Sequence, residues 1–571
     1  NMLKFIVILL LISLSLSQKL ESDSGVSFFN PALKDDIETV NCGISVAISE
    51  NFFNRLLKEL LPEILEIVSK ELKSDKTFEI NLDMMLLYIK DPHFTLNEIK
   101  FDVNNTKADL YSQNNSIGFH IVDSKINATI DYEVFVDPPI LEDTGSVQVG
   151  FDGLNIDLIF GMGPDEKDPE KFDVQISQSA FSVDPKSVRI EIDNQNDFNK
   201  LIVSVINAVL PPIANLVGTA LSEYLQKLVD LISGAIPNPI TVDKISVDLS
   251  FKEFPEVTED DFLSLTWVGK VSPKDDDITF KNVAQLPKWI PDGKDLQVFI
   301  SDYTLKTALV TVAELDLLDL SISDKDTSIM NTDYLGTFFP EMLKYFGKHQ
   351  PCSLNFKLDD EILPDLSITA KGIDSSLSLI LDLSSMKDNK IEEAFKFRVE
   401  SKINAILDID RDLVIKMKIN KLDIKVSEII HSNIGDIETK KVNTIMSLLL
   451  NLIKTLVNAT LSRGIDLGFF IRDLPVVLKD ILVSPNKGYY MIQANPYFDA
   501  DTLMNMMDQH GLGSSNTDHS DIIKDSLAKG MSAFYETFDK EEHLNRPGTA
   551  GLKALINAFD LFKVFTHLDK E

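Results

Sequence analysis

Histidine, cysteine and clustered carboxylates are the side chains of this 571-residue chain that could do chemistry, so their spacing is the first thing to read. The eight histidines, at 93, 120, 349, 431, 510, 519, 543 and 567, are scattered, and none shares a helical face with an obvious second ligand. There is no G-x-S-x-G elbow, no G-x-x-x-x-G-K-[ST] phosphate loop and no H-E-x-x-H zinc pair. DIDRD at 408–412 opens like a calcium loop. Its sixth position, however, is Leu413 where the sharp turn needs glycine, and its twelfth is Ile419 where a bidentate glutamate belongs, so it reads as a solvated charge cluster. GMG at 161–163 follows a strand pattern and reads as a turn. His431 reads as a cap or core hydrogen-bonder at a strand–helix junction. Cys42 and Cys352 are either one long-range disulfide or two buried thiols, and a metal would need more ligands at closer spacing. The residues assign no catalytic group, no metal and no cofactor, and the expectation is a protein that is not an enzyme.

The composition is that of a globular protein, 44% hydrophobic and 25% charged. A formal net charge of −34 sets the chain against nucleic acid and anionic membrane surfaces. Mean hydropathy is nonetheless +0.02, which requires very apolar segments inside an acidic exterior. Lys4, the apolar run FIVILLLISLSL and small residues at Ser15 and Ser17 have the layout of a secretory signal peptide over residues 1–17. Export gives meaning to four sequons, which make Asn104, Asn114, Asn127 and Asn458 candidate glycosylation sites.

The elements that would position a site follow from periodicity. Residues 49–73 place Phe52, Phe53, Leu56, Leu57, Leu60, Leu61, Ile64, Leu65 and Val68 at helical spacing, with Ser49 as cap and Pro62 as a bend. From about 78 to 193 the period becomes two, with DPH, NN, DPP and DPK turns, which predicts long antiparallel strands. A second apolar helical region, 201–233, carries Pro211, Pro212 and several polar residues, and reads as core helices rather than a membrane hairpin. Strands resume after a linker at 234–243 and run through 328. The order then repeats: a short helix around 333–347, a meander, a long strand over 413–426, and an apolar helix over 439–461. In the long strand Ile415, Met417 and Ile419 alternate outward-polar neighbours, and the phase slips to Leu422, Ile424 and Val426, which predicts a bulge near Asn420. Residues beyond 500 add two further helical patterns.

A helix with more greasy surface than one core face requires can line a lipid cavity. Each buried methylene is worth about 0.8 kcal/mol, so two long acyl chains gain on the order of 20 kcal/mol gross, and removal from a bilayer costs a similar amount. Transfer is then nearly neutral, which suits a shuttle. Solid packing around the same helices satisfies the periodicity equally well.

SDYTLKTAL (301–309), GTFFPEM (336–342), LDIKVSEIIHSNIG (422–435), and the course from LPVVLKDILV to GYYMIQANPYF (474–498) resemble the carboxy-terminal half of one family. It comprises bactericidal permeability-increasing protein, lipopolysaccharide-binding protein and the plasma lipid transfer proteins. The start GISVAISENFFNRLLKELL agrees with the layout of its amino-terminal half. The resemblance spans roughly 40–498. It implies an α+β fold: an elongated boomerang of two antiparallel β-barrel domains, each wrapped around a long apolar helix and joined by a central β-sheet. A C-terminal helical extension would follow. The implied layout is an N-terminal barrel at 40–235, linker and central-sheet strands at 236–328, a C-terminal barrel at 329–498 and the extension at 499–571. The glycine turn at 435 would let the strand drop its helix back across its own barrel. The family's amino-domain disulfide has no counterpart among Cys42 and Cys352, and the acidity departs from the endotoxin-binding members.

The resulting expectation is a secreted lipid-binding and lipid-transfer protein with bound phospholipid as ligand. Its partners would be phospholipid or neutral lipid and a transient membrane or lipoprotein surface, with no nucleic acid. The first lipid wall is assigned to Phe52, Phe53, Leu56, Leu60, Ile64 and Val68 with the helix at 201–231. The second is assigned to Phe338, Phe339, Met342, Leu449, Leu452, Ile453 and Leu456. Two alternatives are a defence protein recognising microbial envelope lipid, which needs a basic tip, and a structural secretory protein assembling through its extension.

Overall fold

The computed structural model describes residues 38–71, 226 and, with short breaks, 78–192 and 239–498. The signal segment, nearly all of the 201–233 helical region and the extension from 499 lie outside the described residues. What is described is mixed α/β, mostly antiparallel strands with few helices. The chain forms two compact units, residues 1–52 with 234–499 and residues 53–233 with 500–571.

The second unit is built on a seven-stranded antiparallel sheet. Its main path runs Phe78–Leu82, Met85–Lys100, Ser116–Asp137, Glu142–Pro164 and Phe172–Val183. Period-two alternation puts Val147, Val149, Leu154, Ile156, Leu158 and Phe160 on the buried face of the longest strand. The glycines of GMG lie inside that strand rather than in a turn: Gly161, Met162 and Gly163 pair with Gln175, Val174 and Asp173. Helix α1, Glu50–Glu71, begins where expected, with the Ser49 hydroxyl accepting the Phe52 N–H at 3.3 Å, and carries Pro62 in its interior.

The first unit contains a six-stranded sheet in the order Phe251–Val257, Phe262–Trp267, Ile44–Ser49, Leu296–Ser301, Tyr489–Phe498 and Val476–Asn486. Every residue of Ile44–Ser49 and Leu296–Ser301 is buried, as central strands covered on both faces must be. Over this sheet packs a core of Val40, Cys42, Ala47, Leu286, Ile290, Phe299, Tyr489 and Met491. Helix α2, Asp302–Glu314, follows the fourth strand and lies where strands alone were expected. Its threonines and valines favour strand in isolation, but Ser301 caps the first turn by accepting the Thr304 N–H, and Thr307 and Thr311 donate back to helix carbonyls.

A second large sheet of this unit runs Leu320–Ser323, Cys352–Leu358, Gly372–Lys387, Lys390–Ile409, Val414–Ser432 and Ile465–Asp466, with Asp365–Thr369 beside Gly372–Lys387. Its outer face alternates opposite charges across the ladder: Glu400 opposite Lys425, Lys402 opposite Asp423, Asp408 opposite Lys416. The helix expected at 333–347 is two helices, α3 (Thr332–Leu335) and α4 (Pro340–Phe346), because Pro340 starts a new first turn. The bulge is at Asn420: Asn404 pairs with Lys421 and Ala405 with Ile419, which leaves Asn420 without an opposite residue. Gly435, at φ +106°, makes the turn out of Val414–Ser432, and helix α5, Thr439–Leu461, returns along that same strand. Neither seven-stranded sheet closes on itself by strand pairing among the described residues.

Candidate functional site

Beneath α5 lies a cavity lined by side chains of one chemical kind. Val442, Ile445, Met446 and Leu449 come from α5, Met330, Leu335 and Phe339 from the segment around α3, and Leu354, Leu383, Phe395 and Phe397 from three strands. None is polar. Strand alternation accounts for the floor: Phe395 and Phe397 point inward while Lys396 and Arg398 reach the outer face. Phe395 sits edge-on to Phe339 with ring centroids 5.2 Å apart, and 5.6 Å from Phe397. The cavity measures about 20 Å³. That is room for about one water-sized body. Among the described residues this cavity is too small for the acyl chain expected beside the helix.

Of the residues assigned to this wall from sequence, Phe339 and Leu449 line the cavity. Met342 and Ile453 are buried outside the lining, Phe338 and Leu452 are half-buried, and the Leu456 side chain lies outside the described set. Phe338 instead packs against Tyr334. Phe395, Phe397, Leu354 and Leu383 were missed, although the alternation of FKFRV already marked an inward face. On α1, Phe52 and Phe53 are buried and Leu56 is half-buried, while the side chains of Leu60, Ile64 and Val68 lie outside the described residues. Leu57 and Leu61, left out of that wall, are buried at 4% and 3% exposure.

Helix α5 meets the sheet edge through side-chain amides. Beyond Ile415 no strand pairs with the outer edge of Val414–Ser432 among the described residues. There, Asn458 Oδ1 accepts the Ile419 N–H at 2.7 Å and Asn458 Nδ2 donates to Ile419 O at 3.4 Å, so one side chain imitates a β-bridge. Asn443 Oδ1 accepts the Val426 N–H at 2.9 Å, beside a second bulge at Ser427. The other unit repeats the device: Asn54 of α1 makes both bonds to Ala108, and Gln226 bonds to Val174 O and Ile176 N–H. Each amide satisfies backbone groups that an open edge would leave bare.

The polar clusters offer less. His120 lies between Asp157 Oδ1, 2.7 Å from Nδ1, and the Tyr111 hydroxyl, 2.7 Å from Nε2, across three neighbouring strands. Sequence spacing on helices could not find this row, since strand pairing assembles it. Among the described residues no three His, Cys, Asp or Glu side chains are placed to hold a metal ion. His431 is exposed, bonded to Glu393 at 3.0 Å, rather than in the core. In place of a bridge, Cys42 and Cys352 are buried free thiols; burial pushes the first up to about 12 and the second to about 11. Of the sequons, Asn114 is exposed on a one-turn helix, Asn127 is half-buried in a strand, Asn104 lies outside the described residues, and Asn458 is engaged as above.

Residues 241–496, which include this cavity, match the model described as LBP / BPI / CETP family, C-terminal domain. This segment is similar to the C-terminal domain of that family. The bactericidal permeability-increasing protein of Rattus norvegicus is 26% identical over 354 residues, covering 57% of this chain and 68% of that protein. A crystal structure of lipopolysaccharide binding protein aligns over 81% of this chain and 100% of its own, at 16% identity and a TM-score of 0.47. Takeout 1 of Epiphyas postvittana aligns over 32% of this chain and 92% of its own, at 14% identity and a TM-score of 0.21. The whole apolar lining and all of α5 fall within the matched segment 241–496.

Proposed function

We propose that this chain is a secreted, non-enzymatic lipid carrier that holds the acyl chains of a phospholipid or sterol ester in apolar sites, one against α1 and one beneath α5. Lipid binding or transfer in general is supported by the match to the LBP / BPI / CETP family. The observation that carries the reading is the lining beneath α5: eleven side chains, all apolar, at a wall formed by a helix that touches the sheet edge through a few amides. An apolar lining without one polar group suits a hydrocarbon chain and offers nothing to a headgroup. The net charge of −34 favours a zwitterionic or neutral lipid over an anionic one, and delivery would pass through transient contact with a membrane or lipoprotein surface that is not strongly anionic. Solvent extraction of the purified protein followed by mass spectrometry is expected to yield about two phospholipid equivalents, one for each wall. A lipid-free preparation that also takes up no labelled phosphatidylcholine from vesicles overturns the proposal.

A further inference from the structure

A cavity of about 20 Å³ cannot admit an acyl chain unless a wall moves, and the walls are not equally fixed. Cys352–Leu358, Gly372–Lys387, Lys390–Ile409 and Val414–Ser432 are paired nearly residue by residue. Helix α5 has no such ladder. Its ties to the strand backbone are unequal along its length. At the carboxy-terminal end Asn458 makes two bonds to Ile419, and Lys454 Nζ adds a third to Asn420 O. At the amino-terminal end Asn443 makes one, to Val426.

The cavity lies at the end with fewer hydrogen bonds to the strand, since Val442, Ile445, Met446 and Leu449 flank Asn443. Just before the helix, Gly435 holds φ +106° with nothing within 4 Å of where a Cβ would stand, so the entry turn has both conformational and steric room. The outer face of α5 is tied to itself: the hydroxyls of Thr444, Ser447 and Thr455 donate to carbonyls of Lys440, Asn443 and Asn451 in the same helix. Only 29% of its most apolar stretch is buried, and that share is mainly Val442, Ile445, Met446 and Leu449 facing the cavity, the surface that an acyl chain would cover once the helix lifts.

We propose that α5 is a hinged wall. Its amino-terminal half lifts off the strand edge, Gly435 supplies the slack, the Asn458–Lys454 end stays as the pivot, and separation of Asn443 from the Val426 N–H opens the apolar site to an acyl chain. The hinge rests on the lipid-carrier reading and names how that site is regulated.

The test uses the full chain and phosphatidylcholine vesicles containing a fluorescent phosphatidylcholine, with uptake followed by stopped flow. Asn443→Ala removes the single bond at the moving end and is expected to raise the uptake rate roughly five- to tenfold. Asn443→Asp, whose carboxylate still accepts the Val426 N–H, is expected to return it to within about twofold of wild type. In the wild-type protein, which removes any question of a misfolded variant, vesicles are expected to speed hydrogen exchange at Val426 and leave Ile419 protected. Uptake by Asn443→Ala at the wild-type rate, or equal exchange at Val426 and Ile419, overturns the hinge and leaves the carrier standing. No uptake by either wild type or Asn443→Ala overturns the carrier and the hinge with it.

Discussion

Asn443 and Asn458 lie fifteen residues apart on α5 and bond Val426 and Ile419, seven residues apart on the strand below. Fifteen helical residues rise about 22 Å and seven extended residues span about 23 Å. The helix therefore lies along the strand in register, running the opposite way, and both ends of the match fall beside bulges.

Asn458→Ala leaves the Ile419 N–H and carbonyl without their partner. The expected cost is about 1–3 kcal/mol, read as a lower urea midpoint with an unchanged slope. The same nitrogen is the attachment point of a sequon, so carbohydrate there would displace the bond to Ile419 O.

Leu449→Ala enlarges the apolar cavity and is expected to destabilise the protein by about 2–5 kcal/mol in urea denaturation without abolishing lipid uptake. Leu449→Trp fills the same space. Its uptake of labelled phosphatidylcholine is expected to fall at least tenfold, and normal uptake would place the acyl chain elsewhere.

Alkaline pH should weaken the unit that contains Cys42, Cys352, Tyr489 and Tyr490. Burial pushes the two thiols from the ordinary 9.0 to about 12 and about 11, and the two phenols from 10.0 to about 12, the Leu407 N–H at Tyr490 opposing the rise there. The folded state keeps these protons after the unfolded state has lost them. Their contribution is intact below about pH 9 and is lost as pH rises toward 12, so the urea midpoint should fall across that window. A water-soluble thiol reagent at neutral pH should label neither cysteine until denaturant is added.

Deletion of Asn420 removes the residue that lets the strand change phase. Either Ile415, Met417 and Ile419 or Leu422, Ile424 and Val426 must then face the wrong side. Loss of the cooperative urea transition of this unit is the expected result, whereas Asn420→Ala, which keeps the count, should fold.

That bulge shows how much was legible in the residues. A phase slip is a property of neighbours along the chain, so Asn420, the glycine turn and the bounds of α1 and α5 could be read directly. Helix α2 could not, because threonine and valine propensities favoured strand until Ser301 and the hydroxyl back-bonds reversed them. The cavity lining was half legible: alternation orders the faces of a strand, but which inward residues converge under α5 depends on register between strands. The row of Tyr111, His120 and Asp157 and the amide bridges of Asn54 and Gln226 are long-range pairings with no local signature.

The buried strand Ile44–Ser49 has a consequence for biosynthesis. It is among the earliest parts of the unit to be translated, yet its two partners, Phe262–Trp267 and Leu296–Ser301, follow about 220 and 250 residues later, and the strand that completes the far edge ends near residue 486. At roughly 5–20 residues per second the ribosome needs on the order of 10–50 s to reach the first of them. For that interval an apolar segment waits unpaired on the nascent chain, and chaperone occupancy there should govern how much of the protein matures.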